Sequence, residues 1–301
     1  MTISRRRFLV VLATASLGGS VSSSAITRQR FYALGTEAQI SLVGRAKQAD
    51  AAIRACRKEV TEIESAFSLY KTDSILARLN RDGSVVTSDL FTSLLRHALH
   101  MAEVTGGAFD PTIQPLWRAY ASGGDVEHAR QFVGWRGLQL TPRRAYFSKP
   151  GMAASLNGIA QGFAADRIAD ILADYGFHNT LVDLGEFAAR GAKQSGPWRL
   201  GISDPLSGRI VAPVEVSDGY AIATTEPLGT LIAGHSHIFD PLEQPGERWA
   251  SVTIAAREAW RADALSTAIA ASPVDNTKQL LEVGNVTRAW LIDTSGKLVT
   301  L

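Results

Sequence analysis

Between residues 180 and 239 the chain carries five short runs of β-formers, at 180–184, 198–202, 211–216, 220–223 and 236–239, and this succession narrows the possible folds sharply. Ser217-Asp218-Gly219 reads as a hairpin turn between the third run and the fourth. A further strand at 251–255 and a closing hairpin, 289–293 and 297–301 around Thr294-Ser295-Gly296, continue the pattern. Sheet built this way is mainly antiparallel.

Helices are separated from these strands along the chain. Ile53, Cys56, Val60, Ile63 and Phe67 recur at helical spacing within 47–67. Ser88 or Asp89 opens a second helix, with Leu90, Leu94, Ala98, Met101 and Ala102 on one face and Gly106-Gly107 at its end. A third carries Ile159, Phe163, Ile168, Ile171, Leu172 and Tyr175, with Gly176 as its C-terminal glycine. Two more are predicted at 261–271 and 274–283. Residues 31–43 read as a strand with Leu34-Gly35-Thr36 at a point of close backbone approach. Residues 68–74 read as a polar loop. Residues 121–150, with Gly123-Gly124, one short charged helix candidate and turn chemistry at Pro142 and Pro150, read as connection. An α+β fold of mainly antiparallel sheet with packed helices is the expectation.

The first 25 residues have another character. Ser4-Arg5-Arg6-Arg7-Phe8-Leu9 precedes an apolar run from Phe8 to Leu17 and a small-residue stretch ending at Ser23-Ser24-Ala25. A membrane-spanning helix needs about 20 apolar residues, so the run reads as an export signal and not an anchor. A Sec signal or a basic tail is the plain alternative; paired arginines before Phe-Leu favour the twin-arginine route. The expectation is a signal at 1–25, a single functional domain at 26–301 and a periplasmic location. Removing 1–25 takes away three arginines and no acid, so 31 basic against 29 acidic residues become 28 against 29. That balance gives no nucleic-acid footprint. The lone cysteine, Cys56, cannot form an internal disulfide, and its helical register points to core packing over a reactive thiol.

Three groups of residues could carry chemistry. Asp263 and Thr267 are four apart on a predicted helix, so their oxygens share a face and can meet one hard cation; magnesium suits such a pair, although a solvated face or a Thr bonded to its own helix explains the spacing too. His237, in Ser236-His237-Ile238-Phe239-Asp240-Pro241, can take a hydroxyl proton near neutral pH or serve as a structural donor. Asn157-Gly158 at a helix start offers backbone groups to a phosphate or metal, or simply caps the helix.

Taken in order, several segments resemble the motifs of the ApbE family, the FAD:protein FMN transferases. They are Leu34-Gly35-Thr36, Phe67-Ser68-Leu69-Tyr70 with Asp73-Ser74 and Leu79-Asn80, Thr105-Gly106-Gly107-Ala108-Phe109-Asp110-Pro111, and Leu156-Asn157-Gly158-Ile159-Ala160-Gln161-Gly162. Leu181-Val182-Asp183-Leu184-Gly185, His237-Ile238-Phe239-Asp240-Pro241 and Ala262-Asp263-Ala264-Leu265-Ser266-Thr267-Ala268 continue the series over essentially the whole chain after the leader. The resemblance implies a T-fold-like architecture around one FAD. It assigns FAD contacts to Leu34, Tyr70, Ala108, Phe109 and Asp110, with Ser155, Gln161 and Ile238 in the same binding segments. It assigns Mg2+ to Asp263, Thr267 and the Gly158 carbonyl, with Ser266 a weaker addition, and makes His237 the base and Asp263 the residue on which turnover depends. The partner implied is an acceptor flavoprotein with a Thr or Ser flavinylation site, which can be membrane-bound.

Two departures bear on activity. The family usually shows Asp-x-Gly-Gly-x-Ala-Lys-Gly, whereas Ser155 and Gln161 stand here where the acid and the lysine belong. Ala223-Thr224-Thr225-Glu226-Pro227 replaces the usual Thr-Ser-Gly-Asp-like run, and the glycine-rich segment after Leu184 is shortened. An FAD pyrophosphatase of the same architecture, or a non-catalytic periplasmic FAD-binding protein, are the competing readings. With its arginine leader the chain is similar to the NosX-type subgroup associated with nitrous-oxide respiration.

Overall fold

The computed structural model describes residues 9–11, 26–193, 196–216 and 219–301. Of the expected leader, therefore, all but Leu9–Val11 lies outside the described residues. The first half holds β1 (Leu9–Val11), β2 (Ile26–Ala33), β3 (Thr36–Val43), α1 (Ala46–Phe67), α2 (Ile75–Asp82), β4 (Ser84–Val86), α3 (Asp89–Val104), α4 (Gln114–Ser122), α5 (Val126–Arg130), β5 (Leu138–Leu140) and β6 (Arg144–Phe147). The second holds α6 (Ala160–Asp174), β7 (Thr180–Asp183), β8 (Phe187–Arg190), β9 (Trp198–Ser203), β10 (Ile210–Val216), β11 (Tyr220–Thr225), β12 (Leu231–Ile232), β13 (His235–Ser236), β14 (Ser251–Ala256), α7 (Ala259–Ala271), α8 (Thr277–Val283), β15 (Arg288–Ile292) and β16 (Leu298–Thr300).

Period-two burial explains how these pieces stack. In β15, Ala289 and Leu291 join one core while Trp290 and Ile292 join another, and in β11 Ala221 and Ala223 oppose Ile222 in the same way. A sheet apolar on both faces must be covered on both. The central sheet, ordered β16-β15-β14-β11-β8-β7-β3-β2, is antiparallel throughout. Helices α1, α6 and α7 bury the first face. The small sheet β1-β9-β10 covers the second through Trp198, Leu200, Ile202, Val214 and Val216. The fold is α+β, three layers deep, as the segregated patterns predict.

Several local readings change. Residues 31–43 form the hairpin β2–β3, because Leu34 and Gly35 both take positive φ, 51° and 79°, and turn the chain back on itself. Strands β10 and β11 are not a hairpin: β10 pairs with β9 and β11 with β8 and β14, and residues 217–218 lie outside the described residues. The strand expected at 236–239 ends at Ser236. Residues 121–150 are more than connection, since β5 and β6 join β4 in a three-stranded sheet. Cys56 is buried in the core, where burial pushes its thiol up to about 12, as a packing role requires.

Candidate active site

A cavity of about 490 Å³ opens where the β2–β3 turn, the ends of β7 and β11, and the buried stripe of α7 converge. Its size falls in the range of small-molecule sites. It is lined by Leu34, Tyr70, Ala108, Phe109, Asp110, Ser155, Gly158, Gln161, His237, Ile238, Asp263 and Thr267. So of the residues singled out from the sequence, Ser266 alone falls outside the lining.

The wall around α7 begins with helix-on-helix contact. Gly162 in α6 lies so close to α7 that a Cβ there would sit 2.2 Å from the Ala259 carbonyl oxygen, and its N–H donates to the Asp263 carboxylate at 3.0 Å. Asp263 is buried, and Thr267 follows one turn later on the same face. Gly158 completes the corner: a Cβ on it would meet Thr267 Oγ1 at 2.8 Å, so backbone and hydroxyl approach with nothing between them. Carboxylate, hydroxyl and peptide carbonyl are hard oxygen donors of the kind magnesium takes. These residues fit such an ion. Ser266 is turned aside, bonding Thr225 Oγ1 at 2.7 Å and the Asp263 carbonyl at 2.9 Å. It braces β11 against α7.

Across the cavity, His237 follows β13. Its Nδ1 lies 3.2 Å from the Pro227 carbonyl and 3.0 Å from that of Thr230. Two acceptors at Nδ1 place the ring proton there and the lone pair on Nε2, which is the tautomer a proton acceptor needs. The turn supplying those carbonyls is closed by the Gly229 N–H donating to the Glu226 carbonyl at 3.0 Å, and is stapled by Ser236 Oγ donating to the Pro227 carbonyl at 2.9 Å.

The third wall is backbone. The Asp110 carboxylate is engaged from within its own wall: one oxygen accepts from Thr112 N–H and Oγ1 and the other from the Trp135 N–H. Burial raises its pKa against those three bonds. The carboxylate thereby fixes the 108–112 loop that presents Ala108 and Phe109. Leu34 is held in its left-handed conformation by its N–H donating to Glu64 Oε1 at 3.0 Å, and Tyr32 Oη donates to the Gly35 carbonyl at 2.8 Å. Tyr32 and Tyr70 both line the cavity while 66% and 76% exposed, so they stand at its mouth.

A profile of the ApbE family matches residues 34–290. The chain belongs to the ApbE family. ApbE relatives named FAD:protein FMN transferase include one from Vibrio cholerae, 28% identical over 259 residues, which spans 77% of each chain. Another, from Treponema pallidum, is 29% identical over 262 residues, covering 74% of this chain and 72% of its own. Among solved structures, the ApbE protein of Thermotoga maritima superposes with a TM-score of 0.81 at 26% identity, covering 91% of this chain and 96% of its own. The flavin transferase ApbE of Vibrio cholerae gives 0.80 at 24% identity, covering 92% and 97%.

Within this ApbE site, Gln161 stands where the family's lysine belongs and donates its amide to the Leu184 carbonyl at 2.9 Å, packed under Gly185. Ser155 is held by its own N–H on the Pro111 carbonyl at 2.7 Å. Three carboxylates that sequence reading did not single out, Asp183, Glu186 and Glu226, also line the cavity and are buried. Glu186 is held by accepting from the Thr224 N–H at 2.9 Å. Among the described residues that line the cavity there is no Lys or Arg. Trp117 of α4 and Ile113 just before it add an apolar wall, and Phe239 is backed by Tyr120 stacked at 4.4 Å. The signal for Asp183 was present in its motif; that for α4 was hidden because this short helix has no side-chain cap.

Proposed function

We propose that this chain is an FAD:protein FMN transferase, moving FMN from FAD to a Thr or Ser hydroxyl of an acceptor protein with release of AMP. Family membership and the activity named for the relatives support the reaction. The observation that carries it is the convergence of Asp263, Thr267 and Gly158 on one side of a cavity that His237 also lines.

The acceptor oxygen attacks the FMN-side phosphorus, the P–O bond to AMP breaks, and the hydroxyl proton passes to His237 Nε2. The two carbonyls holding Nδ1 leave that nitrogen as the acceptor of the ring. Asp263, Thr267 and the Gly158 carbonyl would hold Mg2+, which when bound neutralises charge on the diphosphate and polarises it toward attack. Five carboxylic acids and no Lys or Arg among the described lining residues support this need, since no permanently charged cation of the lining faces a bare diphosphate there. Gln161, in the lysine's place, brings no positive charge to the site, so charge neutralisation there would fall to a cation held by Asp263, Thr267 and Gly158. Tyr70, Leu34, Ala108, Phe109 and Ile238 would hold FAD, with the exposed tyrosines at the end where an acceptor enters.

The arginine leader supports export by the twin-arginine route and work in the periplasm, on an acceptor flavoprotein of the kind used by the NosX-type subgroup. Among the described residues no helix is long and apolar enough to cross a membrane. Peptide mass spectrometry of the periplasmic and membrane fractions of a deletion strain and its parent tests the assignment. FMN-bearing peptides confined to the parent support it, and identical peptide sets remove it. AMP and FMN released by the purified chain without labelling of any acceptor would select the pyrophosphatase, and tight FAD binding without turnover the silent binder.

A further inference from the structure

Two of the metal donors proposed above, Asp263 and Thr267, sit on a helix whose start is not capped from its own sequence. Glu258, at the N-cap position of α7, makes no side-chain capping bond. Its place is taken from another helix: the Asp166 carboxylate in α6 accepts from the Ala259 N–H at 3.0 Å and from the Trp260 N–H at 3.1 Å. Capping by a remote residue ties the position of one helix to that of the other, which a local Ser or Thr cap would not do.

The same stretch of α6 grips α7 twice more. Gly162, one turn before Asp166 and on the same face, touches the Ala259 carbonyl through its bare Cα, and its N–H holds Asp263. Ala259, Asp263 and Thr267 are spaced by four, so the residue that is clamped and the two that donate form one stripe of α7. A rotation or slide of α7 that displaced Ala259 would carry both oxygens with it. Gly158, which Thr267 meets, lies just before α6, so the distance between the two helices sets the gap between Gly158 and the Thr267 hydroxyl.

We propose that Asp166 is a positioning residue for the metal site: by capping α7 from α6 it fixes Asp263 and Thr267 against Gly158. The inference rests on the reading that these three groups hold a divalent cation. Asp166 itself is not among the residues that line the cavity.

The probe is Mn2+, titrated by electron paramagnetic resonance into the full chain saturated with FAD. Residues that orient metal ligands from behind change affinity by about 10- to 100-fold when removed. Asp166→Ala is expected to weaken Mn2+ by tenfold or more while FAD affinity measured without metal stays at the wild-type value. Asp166→Asn, which keeps one acceptor oxygen but sets its NH2 against the other N–H, is expected to recover part of the loss. Transfer assays should show a raised metal requirement with kcat restored at saturating Mn2+. Ser88→Ala is the control, since Ser88 caps α3 by accepting from Phe91 N–H and loses the same kind of bond away from the cavity. It should leave Mn2+ affinity unchanged. The inference is overturned if Asp166→Ala binds Mn2+ within twofold of wild type, or if Ser88→Ala weakens it equally. If the wild-type chain with FAD binds no Mn2+, the metal reading fails as well, and this inference with it.

Discussion

Replacing Glu226 by Gln should change how stability depends on pH. Glu226 is 4% exposed at the end of β11, opposite Ser251 of β14, and neither of its carboxyl oxygens makes a hydrogen bond of normal geometry among the described residues. Burial pushes its pKa from 4.5 up to about 8; the Ser251 hydroxyl eases this slightly and the Asp204 carboxylate adds to it. The folded chain therefore keeps a proton between pH 4.5 and 8 that the unfolded chain releases, so stability falls as pH rises through that window. Each unit costs about 1.4 kcal/mol, which gives an upper figure of about 3 kcal/mol by pH 7. A Gln amide at the same place lacks partners too, at about 1–3 kcal/mol, but that cost is the same at every pH. The decisive quantity is the slope. Urea unfolding of both proteins between pH 5 and 8 should show wild type losing stability relative to Glu226→Gln steadily with pH, other titrating groups cancelling in the difference. Parallel curves would refute the argument that Glu226 is buried as a neutral acid.

Three further changes test the site's construction. Gly158→Ala puts a methyl 2.8 Å from Thr267 Oγ1 and should weaken Mn2+ binding, read by the same titration, with circular dichroism unchanged. Gly162→Ala drives a methyl into the Ala259 carbonyl at 2.2 Å, where backbone cannot yield; a loss of about 1–3 kcal/mol in urea unfolding is expected, together with the Asp263 contact. His237→Gln should lower the transfer rate by about 10²–10⁴-fold while FAD affinity, followed by flavin fluorescence quenching, stays near wild type.

The layers of the fold could be read from the sequence because their signals are periodic. The apolar positions of α1, α3 and α6 and the hairpin β15–β16 lie where spacing places them. What was missed is short or capped by few residues: α2 rests on Ser74 accepting from the Ala77 N–H and on two buried leucines, and β8 is Phe-Ala-Ala-Arg, whose alanines carry no strand preference. In the site, the placing of Asp263, Thr267, Gly158 and His237 around one cavity was legible because each belongs to a local motif. Asp110 was legible by position, whereas the use of its carboxylate on Thr112 and Trp135 depends on a loop 25 residues away. Glu226 was visible only as part of a departing run and Asp166 not at all, since a buried neutral acid and a cap lent across helices exist only once β11 meets β14 and α6 meets α7. Pairing of distant elements, not residue type, creates both.

The central claim is most directly tested by incubating the full chain with FAD, Mg2+ and an acceptor domain bearing the threonine found by the peptide comparison, then measuring acceptor-bound flavin fluorescence and AMP together. Wild type should produce both in equal amounts, and Asp263→Ala neither, while still folded. Equal yields from Asp263→Ala, or AMP without labelled acceptor from wild type, would contradict it.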